Sequence, residues 1–379
     1  MGKLAVAAIT SLWVIPMSII VNHIVPNPYM DEIFHVPQAQ QYCNGNFRSW
    51  DPMITTPPGL YYLSLALAHV ASLFPGMLLM RTSSLSFSEA CSTSFLRSIN
   101  AVFAVLCGVL SYEIIRFLGP SLSDRKATLM ALVMYFYPLH WFFTFLYYTD
   151  VSSLTAFLAM YLACLRKRYT LSALHQYCAK EAHLVSPHFA QIMYFSLVSA
   201  LFTAPFHFSV DQLRNLLQEL RRNWPLSLLL TLVALIACFA SVHFFSLAHP
   251  YLLADNRHYP FYLWRKIINA HWLMKYMLVP VYVYSWFSIL TLLAKARRKI
   301  WVLVYFLATC AVLVPTPLIE FRYYTIPFYI FMLHSCVSCT TTWLLTATVF
   351  ICINVYTMAM FLFRPFEWSH EDGVQRFIW

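Results

Sequence analysis

The sequence predicts an all-α, polytopic membrane protein, and two observations lead to this prediction. Of its 379 residues, 60% are hydrophobic and 11% are charged, and the mean hydropathy is +0.63, far from the balance of a soluble domain. Uncharged tracts also recur at roughly the ~20 residues that a spanning helix needs. The spans should be helical, because lipid leaves the backbone polar groups no other way to be satisfied.

About ten spans account for these tracts. Five tracts are long and uncharged: Leu4–Val25, Ala127–Tyr148, Pro225–His243, Tyr276–Ala294 and Trp301–Ile319. The tract between Arg322 and Arg364 carries no charge and is long enough for two spans around a polar stretch, HSCVSCTTT at 334–342. Weaker candidates lie at 97–118, 151–165 and 189–209.

The distribution of positive charge predicts the orientation. Lys3, with no acidic residue before it, indicates a cytosolic N-terminus, so the chain should leave the first span on the outer side. The apolar stretch 59–80 could cross the membrane, but Arg125–Lys126 and Arg166–Arg168 would then both lie outside. Because positive clusters prefer the cytosol, we expect 59–80 to form a helix parallel to the membrane within a long outer loop, 26–96.

The same rule exposes an inconsistency further along the chain. The basic clusters at 214–222 and 295–299 both prefer the cytosol. Between Arg168 and Arg214 only one convincing span is found, 189–209, whereas two cytosolic clusters need an even number. Either a span is missing from this chain, or 189–209 only dips into the membrane. No internal repeat or soluble domain is visible, so residues 1–379 should form one polytopic unit.

Composition also narrows the possible partners. A net charge of +10 is compatible with nucleic-acid binding, but the Lys and Arg residues lie in short clusters between apolar runs, as the positive-inside rule requires. We therefore predict a lipid bilayer and no nucleic acid as partner. The ten cysteines are scattered, many in apolar runs, which favours small buried thiols. Cys336 and Cys339 form a C-x-x-C without a second pair, so no metal site is predicted.

Charged residues in the predicted outer loops are the candidates for chemistry. With the basic clusters in the cytosol, the outer face collects five acids and three basic groups: Asp31, Glu32, Asp150, Asp255, Glu320, Arg257, His258 and Arg322. Loops are where charges ordinarily lie, so any one of these could be merely solvated. That explanation is weaker for MDEIFH at 30–35, because two adjacent acids at the end of an apolar run are costly unless they are solvated or used. A carboxylate there suits a general base, and arginines suit phosphate.

Several motifs carry a resemblance to a known family. They are PYMDEIFHVPQAQQYC, WDPMITTPPGLYYL, FLYYTD, HPYLLADNRHYPFYLW, LIEFRYYTIPF and the C-terminal FRPFEWSHEDGVQRFIW. Together and in this order they resemble the dolichyl-phosphoglucose-dependent α-1,2-glucosyltransferases of the endoplasmic reticulum, which belong to the GT-C class. The resemblance implies a GT-C-like bundle of about ten transmembrane helices with a long first luminal loop.

The resemblance also implies the reaction and the residues. Glucose would pass from dolichyl phosphate glucose to the dolichol-linked oligosaccharide by an inverting displacement at the luminal face, with Asp31 or Glu32 as catalytic base. Arg257, His258 and Arg322 would stabilise the phosphate. Substrate-binding groups would include these three and a further five: Tyr29, His35, Asp150, Asp255 and Glu320. No cofactor or metal should be required.

The chain departs from the family pattern in one interval. Family members continue after the span near 151–165 with a further membrane segment, whereas this chain passes straight on, so we expect a missing segment at 169–188. Glu113, the one acid within a span, should pair with Arg116 across a helical turn. An alternative function is a non-catalytic membrane protein that regulates or assembles with an ion channel or transporter.

Overall fold

The computed structural model describes residues 1–73, 91–169, 187–246, 249–316, 318–335, 337, 339–369 and 371–379. The chain divides into two compact units, Met1–His183 and Leu184–Trp379. Among the described residues, the regular secondary structure is helical except for one short antiparallel hairpin. An all-α polytopic membrane protein is thereby confirmed as the fold class.

The first unit is built around one long central helix. Its helices are α1 (Gly2–Ile24), α2 (Glu32–Cys43), α3 (Gly59–Leu73), α4 (Thr93–Leu118), α5 (Asp124–Tyr135), α6 (Pro138–Phe143) and α7 (Thr149–Leu165). Helix α4 packs against α1, α5 and α7. Ser92 starts α4 by accepting a hydrogen bond from the N–H of Phe95, and Ser123 starts α5 in the same way.

The span predicted over Ala127–Tyr148 is wrong in one respect. The helix stops at Tyr135 and resumes at Pro138, so two short helices replace one long helix. Proline lacks a backbone N–H and its ring clashes with the preceding turn, which ends a helix just before it. The predicted membrane-parallel helix within 59–80 is described only as far as Leu73, and the remainder of that stretch lies outside the described residues.

Ion pairs mark one end of the first unit. Glu113 Oε2 lies 2.7 Å from Arg166 Nη2, and its other oxygen lies 4.0 Å from Lys3 Nζ. The predicted pairing of Glu113 with Arg116 is therefore wrong, because Arg116 Nε lies instead 3.6 Å from Asp124 Oδ1. These contacts bring the start of α1, the end of α4 and the end of α7 together.

The second unit holds the remaining elements. They are α8 (Ala190–Phe202), α9 (Ala204–His207), α10 (Val210–Arg222), α11 (Trp224–Phe245), α12 (Pro250–Ala254), α13 (Tyr259–Leu263), a π-helical turn (Trp264–Ile268), α14 (Met274–Met277), α15 (Val279–Ala296), α16 (Lys299–Leu313), a 3₁₀ turn (Phe321–Tyr324), α17 (Thr325–His334), α18 (Thr340–Phe363), β1 (Phe366–Trp368) and β2 (Glu371–Gln375). Helix α15 packs against α8 and α11 at the centre of this unit.

Five helices among the described residues are long and apolar enough to cross a bilayer. They are Gly2–Ile24, Thr93–Leu118, Trp224–Phe245, Met274–Ala296 and Thr340–Phe363. Four shorter apolar helices accompany them, namely α3, α7, α8 and α16. Within the described residues the long helices thus number five, and the predicted span at 127–148 is divided before Pro138.

Candidate active site

The MDEIFH motif lies at the start of α2, at the end of the first unit opposite the Glu113 ion pairs. Met30 has a φ of 55°, in the left-handed region that side chains other than glycine adopt at a cost. Asp31 follows as the residue that precedes α2, and its side chain is half-buried. Its backbone N–H donates to Tyr148 Oη over 3.1 Å. The sharp turn thus fixes the backbone that presents the Asp31 carboxyl.

Glu32, the next residue, has a different environment. Its side chain is fully buried, and its two oxygens accept four hydrogen bonds. Arg97 donates two of these, from Nε over 2.8 Å and from Nη2 over 2.6 Å. The backbone N–H groups of Tyr29 and Tyr147 donate the other two, over 3.1 and 2.6 Å. The charge of Glu32 is therefore compensated by Arg97, and its carboxylate is hydrogen-bonded to three separate parts of the chain.

Arg97, near the start of α4, completes this buried pair. Its guanidinium is 1% exposed and also donates to the carbonyl oxygens of Val25 and Asn27 and to Asn22 Oδ1, over 2.6, 3.1 and 3.2 Å. The end of α1 and the start of α4 thus meet at one end of the unit. The contacts join residues 22–32 to Arg97, so the two flanks of the predicted outer loop are close together.

Aromatic and polar groups surround the carboxylates. His35 Nδ1 lies 2.6 Å from Tyr61 Oη, and both side chains are buried. Tyr29 is also buried. The amide of Asn100 donates to the carbonyl oxygen of Tyr148 over 2.8 Å, which holds the chain that leads into α7. Asp150 lies half-buried in the first turn of α7, so the first unit places it at the same end as the MDEIFH motif.

A disulfide lies between the end of α2 and the residues that precede α4. Cys43, at the end of α2, is bonded to Cys91, 48 residues later. For this pair the prediction of buried thiols is wrong. Disulfides form and persist in oxidising compartments such as the lumen of the endoplasmic reticulum, and the bond is consistent with a non-cytosolic loop.

In the second unit, three predicted residues form one cluster. Arg257 Nη2 donates to Asp255 Oδ2 over 2.8 Å, its Nε donates to Asp255 Oδ1 over 2.9 Å, and His258 Nε2 lies 3.6 Å from the same carboxylate. Burial acts to raise the pKa of Asp255, but the hydrogen bond from Arg257 and the charge of His258 outweigh it and hold this pKa below its usual value.

Glu320 and Arg322 repeat this arrangement. Arg322 Nη2 and Nε both donate to Glu320 Oε2, over 2.8 and 3.1 Å. In each pair the carboxylate precedes the arginine by two residues, and both side chains are about four-fifths buried. Each guanidinium is thereby held in one orientation by a local partner.

The C-terminal segment folds onto the Asp255 loop. Arg257 Nη1 donates to Gln375 Oε1 over 2.7 Å, and the guanidinium lies 4.5 Å from the centre of the Trp368 ring. Ile378 exchanges backbone hydrogen bonds with Arg257 and Tyr259. The loop and the C-terminal hairpin thus lie at the same end of the second unit.

Trp379 extends this assembly to the Glu320–Arg322 pair. Its ring centroid lies 4.9 Å from that of Tyr259 and 6.0 Å from that of Phe321. Three motifs that are far apart in sequence, in residues 249–264, 318–328 and 363–379, are therefore in contact.

Sequence reasoning missed Arg97, Asn100, Trp368 and Gln375, which hold the predicted residues in place. Arg97 carried one signal, a lone charge at the start of an apolar run. No group of His, Cys, Asp and Glu residues that could hold a metal ion occurs in the part of the chain that the structure describes.

The fold and the paired carboxylates and arginines define a helical polytopic membrane protein with charged clusters, two of which lie outside its long apolar helices. The sequence model of the DIE2/ALG10 family matches residues 25–180 and 177–333, so the chain belongs to this family. It is 63% identical to a relative from Arabidopsis thaliana, with all of both chains covered, and 28% identical to a relative from Homo sapiens, with 93% of both covered. Both relatives bear the name Dol-P-Glc:Glc(2)Man(9)GlcNAc(2)-PP-Dol alpha-1,2-glucosyltransferase.

These matches confirm the family that the sequence motifs indicate. No solved structure matches the chain. The alignment with the Arabidopsis relative extends over 511 positions, 132 more than the 379 residues of this chain. The two stretches that match the family model meet at residues 177–180.

Proposed function

We propose that this protein transfers glucose from dolichyl phosphate glucose to the 2-hydroxyl of the terminal glucose on the diglucosylated dolichol-linked oligosaccharide. The reaction would take place at the luminal face of the endoplasmic reticulum membrane. The names of the relatives support the donor and acceptor. The observation that carries the mechanism is the buried pair of Glu32 with Arg97, because it separates the roles of two adjacent acids.

In the proposed mechanism Asp31 is the general base. Its carboxylate accepts the proton of the acceptor 2-hydroxyl, whose oxygen then forms a bond to the anomeric carbon of the donor glucose. The bond from that carbon to the phosphate oxygen breaks, and dolichyl phosphate leaves with the electron pair. The β-linked donor gives an α-linked product, as a single displacement requires.

Glu32 is proposed as a positioning residue. Glu32 accepts four hydrogen bonds and its charge is compensated by Arg97, which disfavours proton uptake by this carboxylate. Protonating it would break a buried ion pair, which is costly. Its bonds to Tyr29 and Tyr147 instead hold the residue two before Asp31 and the residue next to Tyr148, whose hydroxyl accepts from the Asp31 N–H. His35 and Asp150 would lie near the acceptor.

The cationic groups of the second unit are proposed to stabilise the donor phosphate. Arg257, His258 and Arg322 would offer hydrogen-bond donors to the charge that develops on the leaving phosphate. Asp255 and Glu320 would keep the two guanidinium groups oriented. These side chains supply both base and charge compensation, so we expect no metal or other cofactor to be required.

We also infer that a membrane segment is missing from this chain between 169 and 188. The family-model matches that meet at 177–180 and the 511 aligned positions support this inference. The activity should therefore be measured in two forms, the chain as it stands and the chain with the relative's segment restored.

The test is a microsomal transfer assay with radiolabelled dolichyl phosphate glucose and an acceptor that carries two glucoses. Asp31→Asn keeps the size of the side chain but removes the base, and should lower the transfer rate by ~10²- to 10⁴-fold. Asp51→Asn, the same change in the same loop, is the matched control and should leave the rate near wild type. Near-normal transfer by Asp31→Asn at equal expression would exclude Asp31 as the base. Repeating the wild-type assay with EDTA tests the absence of a metal requirement.

A further inference from the structure

Helix α10 carries an apolar face that the protein leaves uncovered. Leu213, Leu216, Leu217 and Leu220 follow the spacing of one helical face. Leu213, Leu217 and Leu220 are 51%, 45% and 39% exposed. A contiguous exposed row of leucines is unfavourable in water and marks a surface that contacts something apolar.

This helix is held in place at both ends. At its start, the buried amide of Gln212 donates to Ser288 Oγ over 3.2 Å, and Lys295 Nζ donates to Gln212 Oε1 over 3.2 Å. At its end, Asn223 alone separates α10 from the membrane-spanning helix α11. Trp224, the first residue of that span, is exposed, as is typical of the membrane interface. The row of leucines therefore lies where a spanning helix begins.

A groove runs beside the leucines. It has a volume of about 440 Å³ and lies between α10, α11 and α15. Its walls are mainly apolar, with Tyr284, Phe287 and Leu290 of α15 facing the leucines, and Lys299 and Glu219 are its charged lining residues. An apolar channel with charge at its margin fits a hydrocarbon chain attached to a charged group.

The charge around the groove is strongly positive. Basic residues in the segments 210–222 and 295–299 number seven: Arg214, Arg221, Arg222, Lys295, Arg297, Arg298 and Lys299. Two acids, Asp211 and Glu219, oppose them. The hydrogen bond from Lys295 to Gln212 brings the two segments together. A charged group bound here would therefore be an anion.

We propose that α10 lies at the cytosolic membrane surface, that an acyl chain of an anionic phospholipid occupies the groove, and that the basic residues contact the phosphate of its headgroup. Amphipathic basic helices bind anionic membrane surfaces in this way. The inference is independent of the catalytic proposal, because it involves none of the residues assigned to glucose transfer.

The test uses the purified full chain in vesicles of phosphatidylcholine containing phosphatidylinositol. A trace of one or the other lipid carries a photoactivatable group on its acyl chain, and adducts are mapped by mass spectrometry. Adducts should fall on residues 213–220 and be several-fold more abundant with the phosphatidylinositol probe. The triple change Arg214→Gln, Arg221→Gln, Arg222→Gln should bring the ratio of the two probes towards one. Glu219→Gln, an exposed single change on the same helix, should raise it.

Three outcomes would overturn the proposal. Absence of adducts on 213–220 with either probe would mean that lipid does not reach the groove. Equal labelling by the two probes, unchanged in Glu219→Gln, would mean that the bound chain does not belong to an anionic lipid. Cross-linking of these residues to a second copy of the chain would mean that protein covers the leucines.

Discussion

Replacing Arg97 with methionine should destabilise the first unit by about 3–5 kcal/mol, because it leaves the Glu32 carboxylate buried without its counter-charge. The structure supports the upper part of this range. Both side chains are at most 1% exposed, and the change also removes the donors to the carbonyl oxygens of Val25 and Asn27. In a unit of this size each kcal/mol lowers the thermal midpoint by about 2–4 °C, so the fall should be at least about 6 °C.

The matched control is Arg166→Met. Arg166 forms an ion pair of 2.7 Å with Glu113, but its side chain is 45% exposed, so the loss should be no more than about 1 kcal/mol. The assay is thermal unfolding of the detergent-solubilised full chain. A double change, Arg97→Met with Glu32→Gln, should be less destabilising than Arg97→Met alone, because no unpaired charge remains buried. Equal midpoints for Arg97→Met and Arg166→Met would refute the reasoning.

Two further predictions concern the second unit and the topology. Changing Arg257 or Arg322 to Ala should raise the donor concentration needed for half-maximal transfer, and Lys should restore little because it lacks the planar fork of arginine. Unaltered donor dependence in both Lys variants would leave these arginines with a packing role. Glycosylation acceptors engineered near residues 45 and 85 should both be modified in microsomes. Modification of the first alone would show that 59–80 crosses the membrane.

Local signals in the sequence were enough for the fold class, and they give Asp31 and Glu32 as candidates for the base. The low charge and the apolar tracts predict spanning helices without any tertiary information. The break before Pro138 could also be predicted, because proline ends helices, but the hydropathy of residues 127–148 favours a single span. Asp31 and Glu32 were equivalent in the sequence. Only the fold distinguishes them.

Pairings between distant residues could not be predicted. Arg97 reaches Glu32 across 65 positions, and Cys43 is bonded to Cys91 across 48. The prediction for Glu113 failed for the same reason, because helical spacing favoured a neighbour whereas packing supplied Arg166, 53 positions away. A single sequence records the spacing of neighbours along a helix but not which helices meet.

Contacts within the second unit define its two ends without reference to charge. The backbone N–H of Ile378 donates to the carbonyl oxygen of Arg257, and the N–H of His188 donates to the carbonyl oxygen of Val314. Val314 lies seven residues before Phe321, whose ring contacts that of Trp379. Residues 188, 249–262, 314–324 and 364–379 therefore share one end. The hydrogen bond between Lys295 and Gln212 and the ring contact of Trp301 with His334 mark the other end.

The positions of the basic clusters in the second unit support the proposal of a missing segment. Both basic clusters, 214–222 and 295–299, lie at the end of the second unit that the hydrogen bond between Lys295 and Gln212 marks. A cytosolic location for both clusters requires this. His188 lies at the opposite end of the second unit, which the positive-inside rule predicts to be luminal. The same rule predicts a cytosolic location for Arg166–Arg168. The sequence between them contains Lys180 and Glu181 and no apolar run long enough to cross a bilayer. We propose that an odd number of crossings is lacking in the interval where the two family matches meet, so the restored segment should cross the membrane an odd number of times.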